Sequence, residues 1–87
     1  MAHNAITING ETFERKGKRM PYVTVFEKDN GEVRVEWAGS LELAQKNAGS
    51  HVGRWNKAKS GITLAYPWDS AAYLRYSSIR VEATEEI

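Results

Sequence analysis

"YVTVFEKDNGEVRVEW", residues 22–37, holds the most legible pattern in the chain and settles its fold class. Val33, Val35 and Trp37 alternate with Glu32, Arg34 and Glu36, the period of a half-buried strand whose successive side chains point to opposite faces. The strand before it must match. A two-residue turn at Asn30 and Gly31 would set Val25 against Glu36 and leave Val23 on the charged side. A three-residue loop over Asp29, Asn30 and Gly31, with Gly31 left-handed, sets Val25 against Val35, Val23 against Trp37 and Lys28 against Glu32. The second register is expected, because a slip of one residue turns every apolar side chain to the wrong face. It leaves Tyr22, Thr24 and Phe26 on the face shared by Arg34 and Glu36, with Phe26 placed to stack against Arg34.

Upstream, Asn9-Gly10 separates Ala5–Ile8 from Glu11–Lys16, and Asn-Gly supplies the two positive-φ residues of a tight hairpin turn. Pro21 suits the start of a strand, not its interior. Downstream, Ser40 is a helix N-cap for "LELAQKNA", with Glu42 in the positive first turn and Gly49 as a left-handed stop. Such a helix has about two turns and depends on docking Leu41, Ala44 and Ala48 against the sheet. "ITLAYP" reads as a strand with Ile62, Leu64 and Tyr66 inward, ended by Pro67. Asp69 or Ser70 then caps a second short helix, "AAYLRYSS". "SIRVEA" alternates Ile79, Val81 and Ala83 against Arg80 and Glu82 as a last strand, and residues 84–87, "TEEI", are expected to fray. The expected class is α+β: a largely antiparallel sheet of two N-terminal hairpins plus two later strands, with two short helices packed on one face.

Length and composition bound the rest. An 87-residue chain is expected to form one domain, residues 1–87, with a thin core to which three Trp, four Tyr and two Phe contribute disproportionately. The absence of cysteine removes disulfides, thiolate metal sites and thiol nucleophiles, and fits a reducing, cytoplasmic setting. The opening "MAHNAITING" lacks the layout of a signal peptide, and no apolar run approaches a membrane span. Twelve Lys and Arg against eleven Asp and Glu give +1, well short of a nucleic-acid coat protein and far from an acidic DNA mimic.

Chemistry concentrates in "GSHVGRWNKAKSG", residues 49–61, with the only interior histidine, a tryptophan and three cations. His51 is the one side chain suited to acid–base work near neutrality. The nearest acids along the chain, Glu42 and Asp69, already have helix-terminal roles, so a structural or solvated His51 is expected. "GSH" after a short helix, followed by a strand and another helix, resembles the HicA-type toxins, small ribonucleases of the double-stranded-RNA-binding fold. That resemblance covers about thirty residues and implies a catalytic role for His51 alone. Residues 41–61 also allow a helix-turn-helix with Arg54, Lys57 and Lys59 on the recognition helix. Alternatively, Val52 and Trp55 pin a turn whose cations stay in water. If the two cationic segments converge, then Arg15, Lys16, Lys18, Arg19, Arg54, Lys57 and Lys59, with Trp55, form a surface for phosphates and stacked bases.

No His, Asp and Glu spacing resembles a metal-ligand set, and the phosphate-loop, dinucleotide and nucleophile-elbow patterns are missing. A non-enzymatic, cofactor-free module is therefore expected. Its rings outnumber what a small core readily hides, and Tyr, Trp and Arg carry interface energy. Tyr22, Phe26, Arg34, Arg54, Trp55, Trp68, Tyr73 and Tyr76 are the expected partner-binding residues. The partner would be a macromolecule, protein or ribonucleoprotein rather than free DNA, blocked or modulated as small phage or mobile-element anti-defence inhibitors do. A nucleic-acid binder using the basic surface is the alternative, and a ribonuclease using His51 the second. A free edge on the last strand leaves a homodimer open.

Overall fold

The computed structural model describes residues 1–62, 64 and 67–87, with the side chains of Pro67 and Trp68 outside the description. Its elements are β1 (Ala2–Ile8), β2 (Glu11–Gly17), β3 (Tyr22–Lys28), β4 (Val33–Ala38), α1 (Leu41–Lys59), α2 (Pro67–Leu74), β5 (Tyr76–Ala83) and β6 (Glu85–Glu86). The fold is α+β. The strands form two antiparallel three-stranded sheets, ordered β2-β1-β6 and β4-β3-β5, where a single larger sheet was expected.

Both hairpins follow from their turns. Asn9 and Gly10 have φ of 52° and 81°, the paired positive values that match the twist of the flanking strands. In the second hairpin Val25 pairs with Val35 and Val23 with Trp37, as the alternation requires. Gly31 takes φ of 89°, and the Lys28 N–H donates to the Glu32 carbonyl at 2.8 Å, closing the three-residue loop.

β3 is central in its sheet and enclosed on both faces. Val23 and Val25 lie with Val33, Val35 and Trp37 of β4, and Ile6, Ile8 and Phe13 of the first hairpin pack against them. On the other face, Phe26 is fully buried among Ala58, Tyr73 and Ile79, with Val52, Trp55, Leu64 and Tyr76 around it. The helices therefore cover the Thr24 and Phe26 face, which Arg34 and Glu36 share by register. Arg34 does lie over Phe26, 4.3 Å from the ring centroid.

The main departure is α1, which runs 19 residues through Gly49 and Gly53. Ser40 caps it as expected, its Oγ accepting from the Leu43 N–H at 3.1 Å. Ala44, Ala48, His51, Val52, Trp55 and Ala58 form one stripe at helical spacing against the sheet. Docking along that stripe outweighs two helix-weakening glycines, each about 1 kcal/mol worse than alanine. Leu41, expected to dock, is exposed. Since no turn interrupts residues 41–59, the helix-turn-helix reading fails. In the resemblance to the HicA-type toxins "GSH" follows a short helix, whereas here it lies inside α1.

Ile62 is exposed and, with Leu64, lies outside any strand, while Thr63, Ala65 and Tyr66 of the expected "ITLAYP" strand are outside the described residues. α2 begins at Pro67, earlier than expected, and the chain enters β5 at Tyr76, so "YSS" is strand rather than helix.

The tail does not fray. Glu85 and Glu86 pair with Ala5 and Asn4, and the Ile87 N–H donates to the His3 carbonyl at 2.8 Å. The crossing between the sheets is held by a buried polar junction. The fully buried Asn4 amide donates to the carbonyls of Arg15 (3.0 Å) and Lys18 (2.9 Å), while its oxygen accepts from Arg19 Nη1 (2.7 Å) and the Met20 N–H (2.8 Å). Arg19 also donates to Thr84 Oγ1 at 2.8 Å and to the Thr84 carbonyl at 3.1 Å.

Candidate functional site

The residues expected to meet a partner through exposed rings are mostly enclosed. Phe26 and Tyr73 are buried, and Tyr22, Trp55 and Tyr76 are half-buried. Among the described residues no aromatic side chain is exposed, and the Trp68 side chain lies outside the description. The surplus of rings that composition suggested is absorbed because both faces of β3 carry a core. Of the expected set, only Arg34 and Arg54 are exposed.

The two basic segments are carried by different elements. Arg15, Lys16 and Lys18 are exposed on and beside β2, and Lys18 Nζ lies 4.0 Å from where a Cβ on Gly39 would stand, next to the start of α1. Arg54, Lys57 and Lys59 lie in the last two turns of α1, on the order of 20 Å farther along its axis at about 1.5 Å per residue. Arg19 is turned inward onto Asn4 and Thr84. The Trp55 ring, offered as a stacking platform, is covered by Lys59, whose Nζ sits 3.8 Å from the ring centroid.

The structure instead brings together groups from three elements around His51. β4 presents Glu36 beside Arg34 on the helix face of its sheet, and the docked stripe of α1 turns His51 toward it. Glu36 Oε1 lies 3.0 Å from His51 Nε2, and Arg34 Nη1 is 3.7 Å from Glu36 Oε2. From α2, the Tyr73 hydroxyl is 2.7 Å from His51 Nδ1. Phe26 meets the imidazole edge to face, with centroids 4.8 Å apart. Arg54, three residues beyond His51 on α1, has its pKa moved upward chiefly by the neighbouring Tyr73 hydroxyl, with the charge of Asp69 as a smaller influence. The result is a row of guanidinium, carboxylate, imidazole, phenol and guanidinium.

The Tyr73 hydroxyl and His51 Nδ1 share a hydrogen bond whose direction follows the imidazole tautomer, and Nε2 faces Glu36. Tyr73 and Phe26 together fix the ring. Its Nε2 edge is the open one: the side chains of Glu36 and His51 are 36% and 19% exposed, whereas Tyr73 is 9% exposed.

Glu36 was not among the acids considered for His51, although the strand register already placed it on the face of Phe26. The missing step was the length of α1. Lys46, also unremarked, is exposed on the same helix as Arg54, Lys57 and Lys59. Among the described residues no three His, Asp or Glu side chains group as metal ligands, and no helix is long and apolar enough to cross a membrane. No family model, curated protein or solved structure matches the chain.

Proposed function

We propose that the chain binds the phosphate backbone of a nucleic acid through the outward side of α1. The observation that carries this reading is the separation of charge. Among the described residues several acids of the β4-β3-β5 sheet and its hairpin loop are matched to cations, Glu27 and Glu82 to Arg80, Glu32 to Lys28 and Glu36 to Arg34, whereas Glu11, Glu85 and Glu86 of the other sheet form no ion pair. The exposed cations of α1, Lys46, Arg54, Lys57 and Lys59, share their helix with one acid, Glu42, and none forms an ion pair among the described residues. A near-neutral chain thereby carries a locally basic rod about 28 Å long. A nucleic acid offers a row of charges that such a rod neutralises with release of counterions. A protein partner gripped by protruding rings has less support, since the described rings are enclosed.

The test is fluorescence anisotropy with a labelled duplex and a labelled single strand across a salt series. Three phosphate contacts, from Lys46, Arg54 and Lys57, give log Kobs against log salt a slope of about −2.7 on duplex, and Lys46→Ala or Lys57→Ala flattens it by about one contact each. Failure to bind either oligonucleotide at about 50 mM salt, or a slope unmoved by both substitutions, overturns the reading.

A further inference from the structure

We infer that the chain pairs with a second copy of itself along the free edge of β4, antiparallel and centred on Val35. The inference is independent of the reading of α1. β4 is an outer strand of its sheet and pairs with β3 alone. The Lys28 N–H donates to the Glu32 carbonyl at the hairpin end, so by alternation the bonded pairs farther along are Phe26 with Arg34, Thr24 with Glu36 and Tyr22 with Ala38. The N–H and C=O groups of Val33, Val35 and Trp37 therefore point away from β3. Among the described residues no backbone group outside the sheet answers them. Their side chains are apolar and half-buried, on the face that holds Ile6, Ile8 and Phe13. Neither lysine nor proline, the usual guards of an open edge, stands in this strand.

Charge register selects the occupant. With a two-fold axis through Val35, Val33 of each copy faces Trp37 of the other and Arg34 faces Glu36. The outward groups of Val33, Val35 and Trp37 then exchange about six hydrogen bonds, and the two Arg34 and Glu36 pairs fall at the non-bonded positions, where facing Cα atoms are about 4.5 Å apart and side chains meet most closely. An axis through Arg34 or through Glu36 keeps the backbone in phase but sets like charges face to face. Within one chain the contact between Arg34 and Glu36 is a loose 3.7 Å, with side chains 55% and 36% exposed, so both groups are able to re-pair across the axis. His51 holds Oε1 of Glu36, which leaves Oε2 for the arginine. The apolar rows of the two copies meet as one strip, and two three-stranded sheets become one continuous sheet. β5, the other edge of this sheet, has the same Arg-Val-Glu order, but its Arg80 is already spent: Nε donates to Glu82 at 3.0 Å, and Nη1 to Glu27 at 3.1 Å and to Ser78 at 3.0 Å.

The experiment is sedimentation equilibrium of the full chain at low salt, from about 1 to about 200 μM, where a reversible equilibrium between monomer and dimer is expected. Arg34→Glu and Glu36→Arg, each checked for native circular dichroism, set like charges across the axis and are each expected to weaken the dimer by about 30-fold. Mixed in equal amounts they should restore it, because each variant then faces its opposite; damage to the fold is not repaired by mixing. The chain has no cysteine, so Val35→Cys places one thiol per copy at the axis, with Cα atoms about 5.5 Å apart and within reach of a disulfide. Mild oxidation should cross-link it faster than Ser77→Cys, which is exposed on β5. Should Glu36→Arg unfold, since Glu36 also meets His51, Arg34→Glu and the cross-link carry the test. A chain that stays monomeric throughout, association unmoved by Arg34→Glu, folded variants that fail to associate on mixing, or a cross-link no faster at Val35→Cys than at Ser77→Cys overturns the inference. Association lost in Arg80→Glu and kept in Arg34→Glu places the interface on β5 and overturns it as well.

Discussion

Replacing Asn4 by alanine tests what joins the two sheets. Asn4 is fully buried and uses both amide donors and its carbonyl oxygen, reaching β2, the segment leading to β3 and, through Arg19, Thr84. Three of its hydrogen bonds are neutral, at about 1 kcal/mol net each, and the one from Arg19 is charge-assisted, at about 2 kcal/mol. The sum is about 5 kcal/mol. Water entering the gap re-pairs some of the orphaned groups, so the expected loss is about 4 kcal/mol. A chain of 87 residues has only roughly 4 to 13 kcal/mol in all. With an m-value on the order of 1.5 kcal/mol/M, the urea midpoint followed by tryptophan fluorescence should fall by about 2.5 M. Asn4→Asp is the shape-matched comparison: it keeps the acceptor for Arg19 and Met20 but turns an oxygen toward the carbonyls of Arg15 and Lys18. It should lose stability as well, by less than the alanine. A midpoint shift below about 0.5 M for Asn4→Ala would refute the view that this junction carries the connection between the sheets.

Gly49→Ala and Gly53→Ala are each expected to raise stability by about 1 kcal/mol, because a Cβ at either position meets nothing within 4 Å and the backbone there is helical. A loss of stability at Gly49 in urea unfolding would mean that the helix ends there in a left-handed turn after all. The Glu27 carboxyl is held below its ordinary value by hydrogen bonds from Arg80 and then Asn9. A carboxylate with a lowered folded pKa contributes stability that is present above the unfolded value and lost as pH falls through the folded one. The difference in urea midpoint between the native chain and Arg80→Gln should therefore shrink below about pH 4, and a constant difference from about pH 6 to about pH 3 would contradict the assignment.

The fold was most legible where its logic is local. Alternation in Val33, Val35 and Trp37, together with the loop glycine at Gly31, determines the register of the second hairpin, and Asn9-Gly10 determines the first. Gly49 misleads because a stop signal is a statement about propensity, worth about 1 kcal/mol, and burial along a whole helix face is worth several times more. The corrective was available in the spacing of Ala44, Ala48, Val52, Trp55 and Ala58, which continues past Gly49 without a phase change. β6 was hidden for the opposite reason. Two glutamates carry no strand pattern, and they pair because Thr84, fastened by Arg19, delivers them to the free edge of β1.

The site was less legible because its parts are brought together by packing, not by spacing along the chain. Glu36 and His51 are fifteen positions apart, and Tyr73 is another twenty-two beyond. Each has an ordinary local explanation: an exposed strand position, a polar residue in a turn, a ring on a helix. Only the choice of which sheet face receives α1 decides between those explanations and a connected row. The charge shows the same dependence. A total of +1 suggests no polyanion partner, yet α1 by itself carries four cations and a single acid. Counting charges assumes that every cation is equally available, whereas the fold neutralises some and displays others. Phe26 makes the point from the apolar side: on the strand pattern it belongs to the charged face, and once the helix covers that face it becomes the centre of the core that holds His51 in place.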